Sequence, residues 1–391
     1  MSNEKKFDVV IYGATGFTGR LVAEYMVRQY GRNQEVTWAM AGRNIEKLVQ
    51  VREEIGAHED TSLLVVDSEN KNSLDNMTSH AKCVLTTVGP YQLYGSDLVT
   101  SCAEAGTDYV DLTGEPGWMY EMIKQNEESA KKSGARIVFS CGFDSIPFDL
   151  GVLFVQDAAK EKYGMPAPHV RGRVRAMHGE FSGGTVASLS ATMSTLREKP
   201  ELINVLANPF SLSGGFKGPD QLDDSKALFD EKLEMWITPF IMASINTKNI
   251  HRSNALMGHA YGEDFCYDEM SIAGSGDEGK ARAEFMATLN PLVGDDMPAP
   301  GEGPSQESRE NGNFNVLFCA DMPNGKTLNA TVTGDMDPGY GSTSKMIAES
   351  AVCLVKDCLD LEGGIYTPAP SMGKKLITRL VNNAGLTFSL D

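Results

Sequence analysis

Three glycines, Gly13, Gly16 and Gly19, stand three residues apart directly behind an apolar, β-branched run in FDVVIYGATGFTGRLVAEYM, residues 7–26. In a strand-to-helix turn that receives a pyrophosphate, one glycine makes the tight turn. A second lets backbone N–H groups approach the phosphates, and a third allows the helix to pack closely on the strand. The spacing assigns those tasks to Gly13, Gly16 and Gly19. Thr15 and Thr18 add hydroxyls, and a helix beginning near Phe17 turns its positive end and free N–H groups toward the anion. A purely structural turn uses the same glycines; the position at the first strand of an alternating β and α series is what favours a dinucleotide.

The end of the second strand separates two cofactors. An acid there accepts bonds from the ribose 2′-OH of NAD, whereas a basic residue accommodates the 2′-phosphate of NADP. In WAMAGRN, Arg43 follows Gly42 where an acid would otherwise stand, so NADP(H) is the expected cofactor. Asp67, closing SLLVVD, is placed to reach the adenine edge. The stretch TTVGPY brings Gly89, Pro90 and Tyr91 to the carboxyl end of the fourth strand, beside the nicotinamide half.

These residues need a scaffold that carries them to one edge. Short apolar runs at FDVVIYG, VTWAMAG, SLLVVD, CVLTTVG, DYVDLT and RIVFSCG alternate with helical periodicity at Gly19–Tyr30, Ile45–Ile55 and Gly117–Ser133. That alternation predicts an α/β fold, with a doubly wound parallel Rossmann sheet over residues 1–150. After CGFDSIPFDLG the texture changes. HVRGRVRAMHGEF and NFNVLFCADM read as antiparallel strands, so a second, α+β domain with a mixed or antiparallel sheet is expected from Gly151 to about residue 340. Residues 294–313, rich in Pro, Gly, Ser and acids, read as an exposed loop. A strong helical pattern follows GDMDPGYGSTSK, with Gly363 and Gly364 as its stop.

Composition limits the function. At 391 residues the chain can bury more than one core, and 53 acidic against 35 basic residues give a formal charge of −18 with no basic cluster, which argues against nucleic acid as a partner. The seven cysteines are scattered without a CxxC pair, so neither a metal site nor a disulfide framework is signalled. No apolar stretch of signal-peptide or membrane-spanning length occurs, so a cytoplasmic location is expected, with peripheral membrane contact and homo-oligomerisation left open.

Inside the first domain YEMIK, Tyr120 to Lys124, matches the YxxxK spacing in which a lysine lowers the pKa of a catalytic tyrosine, but the pattern has only two fixed positions and lacks a partner serine in DYVDLTGE. A longer correspondence carries more weight. VVIYGATGFTGRLVAEYM, WAMAGRNIEKL, VGPYQLYGSDLVTSCAEAGTDYVDLTGE, CGFDSIPFDLG, GGTVASLSATM, WITPFIMASINTKNIHRSNALMG, DPGYGSTSKMIAESAVCL and GGIYTPAPSMGKKLITRL together make the chain resemble the saccharopine dehydrogenase-like oxidoreductases, in particular the branch containing trans-acting enoyl reductases. The resemblance covers nearly the whole chain. It implies an NADP-binding Rossmann domain, a second domain on a mixed or antiparallel sheet, and a C-terminal helix and tail, residues 341–391, returning to the first domain.

On the side of that branch, the resemblance implies hydride delivery to the β-carbon of an unsaturated acyl or lipid-like small molecule, with an acid protonating the α-carbon. Tyr91 and Tyr94 in GPYQLYG stand near the expected nicotinamide position, either as donors or as loop anchors. Asp144 and Ser145 in GFDSIP either serve the site or cap a hinge. His178 reads as a strand histidine more readily than as a proton donor, and Cys141 as a buried thiol. Met193, Trp236, Phe240 and Met242 are candidates for an acyl pocket or for plain core. Saccharopine chemistry needs arginine forks for several carboxylates. In the second domain Arg171, Arg173 and Arg175 alternate along one strand face, while Arg197, Arg252, Arg282 and Arg309 are dispersed. Three classes therefore remain: an NADPH-dependent reductase of an acyl substrate, a dehydrogenase of an amino-acid-derived substrate, and a silent NADP-binding scaffold.

Overall fold

In the computed structural model, which describes residues 5–31, 35–179, 183–289 and 302–391, the chain builds two seven-stranded sheets. The first is started by β1 (Phe7–Tyr12), β2 (Trp38–Gly42), β3 (Ser62–Val65), β4 (Ala81–Thr86), β5 (Asp108–Val110) and β6 (Arg136–Val138). All of β1 is buried, as a continuous apolar run in a sheet covered on both faces requires. The second sheet is built from β7 (His169–His178), β8 (Leu228–Asp230), β9 (Met235–Pro239), β10 (Cys266–Gly274), β11 (Asn313–Asp321) and β12 (Thr327–Gly334). Two late strands, β13 (Gly364–Tyr366) and β14 (Leu386–Leu390), then join the first and the second sheet respectively.

The first sheet runs β13-β6-β5-β4-β1-β2-β3 with every neighbour parallel. From β1 the chain winds outward to β3, then crosses back to β4 on the other side. The strand order therefore reverses between β1 and β4, and a crevice opens at their carboxyl ends, the usual ligand position in such sheets.

The second sheet, β14-β12-β11-β7-β10-β9-β8, is mixed: β7 pairs in parallel with β10 and antiparallel with β11. The arginines of β7 are absorbed here. Arg171 reaches Asp230 and Asp321, and Arg173 reaches Asp230 and Asp268, with both guanidiniums buried. They hold strands together, whereas Arg175 is exposed.

The helix Thr343–Lys356 is buried along nearly its whole length and packs on β1, β4, β5 and the helix Phe17–Tyr30. Its Glu349 accepts hydrogen bonds from Tyr25 (2.8 Å) and Tyr30 (2.6 Å), and Lys356 meets Asp8 of β1 at 2.9 Å. This helix ends at Lys356 rather than at Gly363 and Gly364. The chain needs the intervening turn to bring Gly364 into register with Arg136 of β6, so the glycine pair opens β13 instead. The segment read as a loop also differs. Residues 294–301 lie outside the described ones, but Gln306–Asn311 is a short helix with Ser305 as its N-cap, and Asn313 already begins β11. Gly151 sits within the helix Ile146–Tyr163, where a Cβ would stand 2.3 Å from the Phe318 ring. Among the described residues no helix is long and apolar enough to cross a membrane.

Candidate functional site

The glycine turn occupies the carboxyl end of β1. Gly13 has φ +92°, and a side chain there would strike Val88 and Thr87; a Cβ on Gly19 would stand 2.1 Å from the Gly13 carbonyl oxygen. Those two glycines are thus required by the protein's own packing. Gly16 is different. It is exposed, its nearest neighbour to an added Cβ is the Gly13 oxygen at 3.3 Å, and it stands as the N-cap of Phe17–Tyr30 with no side-chain cap. The first-turn N–H groups therefore face an open cradle suited to an anion. The Phe17 ring is taken up edge-on against Tyr340 at 5.1 Å and beneath Arg309, which leaves its N–H as the group the cradle can offer.

Around this turn the adenine-side candidates gather. Thr15 packs on Gly42 at the end of β2, exposed Arg43 follows at once, and exposed Asp67 stands beyond β3. Arg43 and Asp67 both act electrostatically on the Tyr12 hydroxyl, which burial raises above its ordinary pKa, so the two side chains are neighbours on one edge. The residues present fit a phosphorylated dinucleotide: an uncapped helix end for the pyrophosphate, and a guanidinium beside the strand that approaches the ribose.

On the other side of the crevice β4 leads through Thr87 and the cis Gly89–Pro90 peptide to the short helix Tyr91–Tyr94. Buried Glu115 accepts from the N–H groups of Tyr91 (3.0 Å) and Gln92 (2.8 Å) and so fixes the start of that helix. The Tyr91 hydroxyl is committed inward: it donates to the Thr86 carbonyl (3.2 Å) and accepts from the Leu112 N–H (3.1 Å), and burial raises its pKa far above the ordinary value. Tyr91 contributes ring surface to the crevice, with its proton held elsewhere.

Between the two sheets lies a cavity of about 390 Å³. Thr18 and Thr87 line its dinucleotide end; Met193, Leu196, Leu206, Phe240, Ile241 and Met242 make an apolar wall. The helix Gly183–Glu198 that supplies part of the wall is fastened to the β4 side through Gln92, whose side chain meets Thr192 (3.1 Å) and Thr195 (2.7 Å). Among the described residues three charged side chains reach the lining: Glu115, Asp144 and Lys248.

Asp144 is half-buried and has no hydrogen-bond partner among the described residues, and desolvation pushes its carboxyl up to about 6. Its neighbour Ser145 is fully engaged, donating to Asn246 and accepting from Asn249, both at 2.9 Å, which pins the segment to the helix Ala243–Leu256. Lys248 on that helix is 3% exposed, donates to the Ser244 carbonyl at 2.9 Å, and is lowered to about 8 by burial, against the opposing pull of Asp224.

The structure thus brings Thr18, Tyr91, Asp144, Met193, Phe240 and Met242 to one cavity. Others it places elsewhere. Tyr94 is 41% exposed and outside the cavity wall, because the helix it closes points it to solvent. Trp236 packs against Phe229 at 5.5 Å under Lys280, away from the cavity. His178 is exposed and bonded to Asn313, Cys141 is buried, and Tyr120 and Lys124 lie on an exposed helix face. Lys248 and Glu115 carried no local sequence signal. The structure supplies what a polar run alone does not: nearly every residue from Asn246 to Asn254 is buried, so this helix lies in the interior and must aim its polar groups at partners or at a ligand.

The model of the saccharopine dehydrogenase NADP-binding domain matches residues 9–138. Over its length the chain is 38% identical to a provisionally named trans-acting enoyl reductase of Mycobacterium tuberculosis, with 96% of each chain covered. It is 35% identical to the trans-acting enoyl reductase of Mycobacterium ulcerans, with 97% of this chain and 96% of that one covered. Saccharopine dehydrogenase (L-Glu forming) from Saccharomyces cerevisiae has a similar fold, with a TM-score of 0.50 at 15% identity over 98% of this chain and 99% of that one.

Proposed function

The chain belongs to the trans-acting enoyl reductase branch of the saccharopine dehydrogenase-like oxidoreductases, an NAD(P)-dependent enzyme with an NADP-binding domain, and on that premise we propose that it reduces an unsaturated acyl substrate at the expense of NADPH. The observation that carries this reading is the composition of the cavity wall beside the glycine turn. Apolar side chains dominate it, and among the described residues no arginine stands in it, because Arg171 and Arg173 are spent on Asp230, Asp268 and Asp321. A ligand with several carboxylates would have to desolvate them against one ammonium, which is unfavourable, whereas an acyl chain gains about 0.8 kcal/mol for each methylene it buries.

In this reading the N–H groups at Phe17 and Thr18 hold the pyrophosphate, and Gly16, whose own N–H donates to the Gly13 carbonyl at 2.9 Å, lets it come close for want of a side chain, with Gly13 and Gly19 shaping the turn and Thr15 beside it. Arg43 takes the 2′-phosphate, Asp67 the adenine edge, and Gly89 and Pro90 border the nicotinamide. Bound NADPH supplies the hydride. Asp144 holds the proton that the α-carbon takes up, and its raised pKa keeps a usable fraction protonated near neutrality. Met193, Phe240 and Met242 seat the chain and exclude water.

Steady-state oxidation of NADPH over a series of enoyl thioesters of increasing length, run beside amino-acid and keto-acid pairs, tests the proposal. The expected result is a rise in kcat/KM with each methylene until the pocket is full. Faster turnover of the amino-acid-derived substrates, or none of any substrate despite tight NADPH binding, would replace this reading with the second or third class.

A further inference from the structure

The ammonium of Lys248 is one of the few cations in the molecule almost wholly removed from water without an ion pair among the described residues. Its single hydrogen bond is to the Ser244 carbonyl of its own helix, so N–H donors remain, and the side chain lines the cavity. Burying a lysine in this way costs free energy, and nothing in the packing requires the charge. We propose that Lys248 is a catalytic residue that binds the carbonyl oxygen of the unsaturated acyl substrate and stabilises the negative charge that gathers there. The proposal rests on the enoyl reading above.

As a hydride adds to the β-carbon, the π pair of the double bond shifts to join the α-carbon to the carbonyl carbon, and the carbonyl pair moves to oxygen as an enolate. The Lys248 ammonium donates a hydrogen bond to that oxygen. When the α-carbon takes the Asp144 proton, the carbonyl re-forms and the carboxylate is reprotonated from solvent. A fixed cation in a dry site strengthens its hold as the oxygen gains charge, so it favours the transition state over the bound substrate.

The groups around Lys248 set its charge state. Asp224 pulls its pKa up, His251 one turn on is held neutral by burial, and Asp144 and Glu115 share the cavity with it. Since burial lowers the Lys248 pKa to about 8, the ammonium and with it the rate should be lost as pH rises through that value.

The test compares the parent with Lys248→Met and Lys248→Arg on one enoyl thioester, with NADPH affinity measured by fluorescence and kcat followed from pH 6 to 10. For Lys248→Met the expectation is unchanged NADPH affinity, a kcat lowered on the order of 100-fold or more, and loss of the second, steeper fall near pH 8, leaving only the fall above about pH 6 that Asp144 imposes. Lys248→Arg should recover part of the rate and move the fall to higher pH. Should Lys248→Met fold poorly, as judged by lost NADPH binding, the alkaline shift in Lys248→Arg decides alone. A parent that turns over the thioester while Lys248→Met matches it within threefold overturns the role of Lys248 and spares the enoyl reading. A parent without turnover overturns both.

Discussion

Burial shifts Asp144 and Lys248 toward neutrality from the ranges of free carboxyls and amines, because it thins the water around each charge. The effect has opposite consequences for the two. Desolvation raises the carboxyl and so retains a proton to give, while it lowers the amine and so narrows the range in which it is charged. If Asp144 is the proton donor, Asp144→Asn should lower kcat about 100-fold or more, the usual scale for a general acid, while leaving NADPH affinity intact. The parent needs Asp144 protonated, so its kcat should fall as pH rises above about 6, and the residual rate of the variant should lack that fall. A variant with parental kcat would move the proton donor elsewhere in the cavity. GFDSIP offers Asp144 as a site candidate, but neither it nor INTKNIHR shows the desolvation that tunes Asp144 and Lys248, because burial is made by distant segments. Ser145 becomes fixed only when Asn246 and Asn249 arrive from the helix Ala243–Leu256.

At the scale of elements, the glycine turn separates packing from binding. Gly19 cannot carry a Cβ because the Gly13 oxygen would be 2.1 Å away, whereas at Gly16 the protein leaves room on the open side. Gly19→Ala should therefore destabilise the fold by roughly 1–3 kcal/mol or more, as overpacking does. Gly16→Val should keep the parental circular dichroism and lose NADPH binding; a folded Gly16→Val that still enhances NADPH fluorescence would remove the cradle from the account. The strands of the first sheet were legible because parallel strands are apolar runs, and the glycines because their spacing is local. The second sheet was less so. Arg171 and Arg173 on β7 read as an alternating arginine face, but their partners come from β8, β10 and β11, a grouping that exists only after the strands pair. The end of Thr343–Lys356 was misplaced at Gly363 and Gly364 for a similar reason, since what ends it is the need to deliver β13 to β6.

Across the whole molecule, polar groups buried between the two sheets tie stability to pH. Glu269 of β10 is fully buried, accepts from Tyr267 (2.6 Å) and Asn246 (2.8 Å), and is pushed up to about 8 by desolvation. Its folded pKa exceeds its unfolded value, so between about pH 4.5 and 8 the folded state keeps a proton that the unfolded state releases. Stability from this group is full below that window and is lost as pH rises through it. Glu269→Gln preserves the acceptor and cannot titrate. Unfolding free energies from urea titrations at pH 5 and 8.5 should show the parent losing more stability than the variant, by on the order of 4 kcal/mol; an identical pH dependence would mean that Glu269 is ionised in the folded protein.

The central claim is that hydride from NADPH reaches the β-carbon of an unsaturated acyl group in the cavity between the sheets. Mass spectrometry and NMR of the product made with NADPH doubly deuterated at the nicotinamide C4 test it most directly. The account predicts one deuterium at the β-carbon and a solvent-derived hydrogen at the α-carbon. Deuterium at an amine-bearing carbon of an amino-acid product, with none transferred to any acyl substrate, would contradict it.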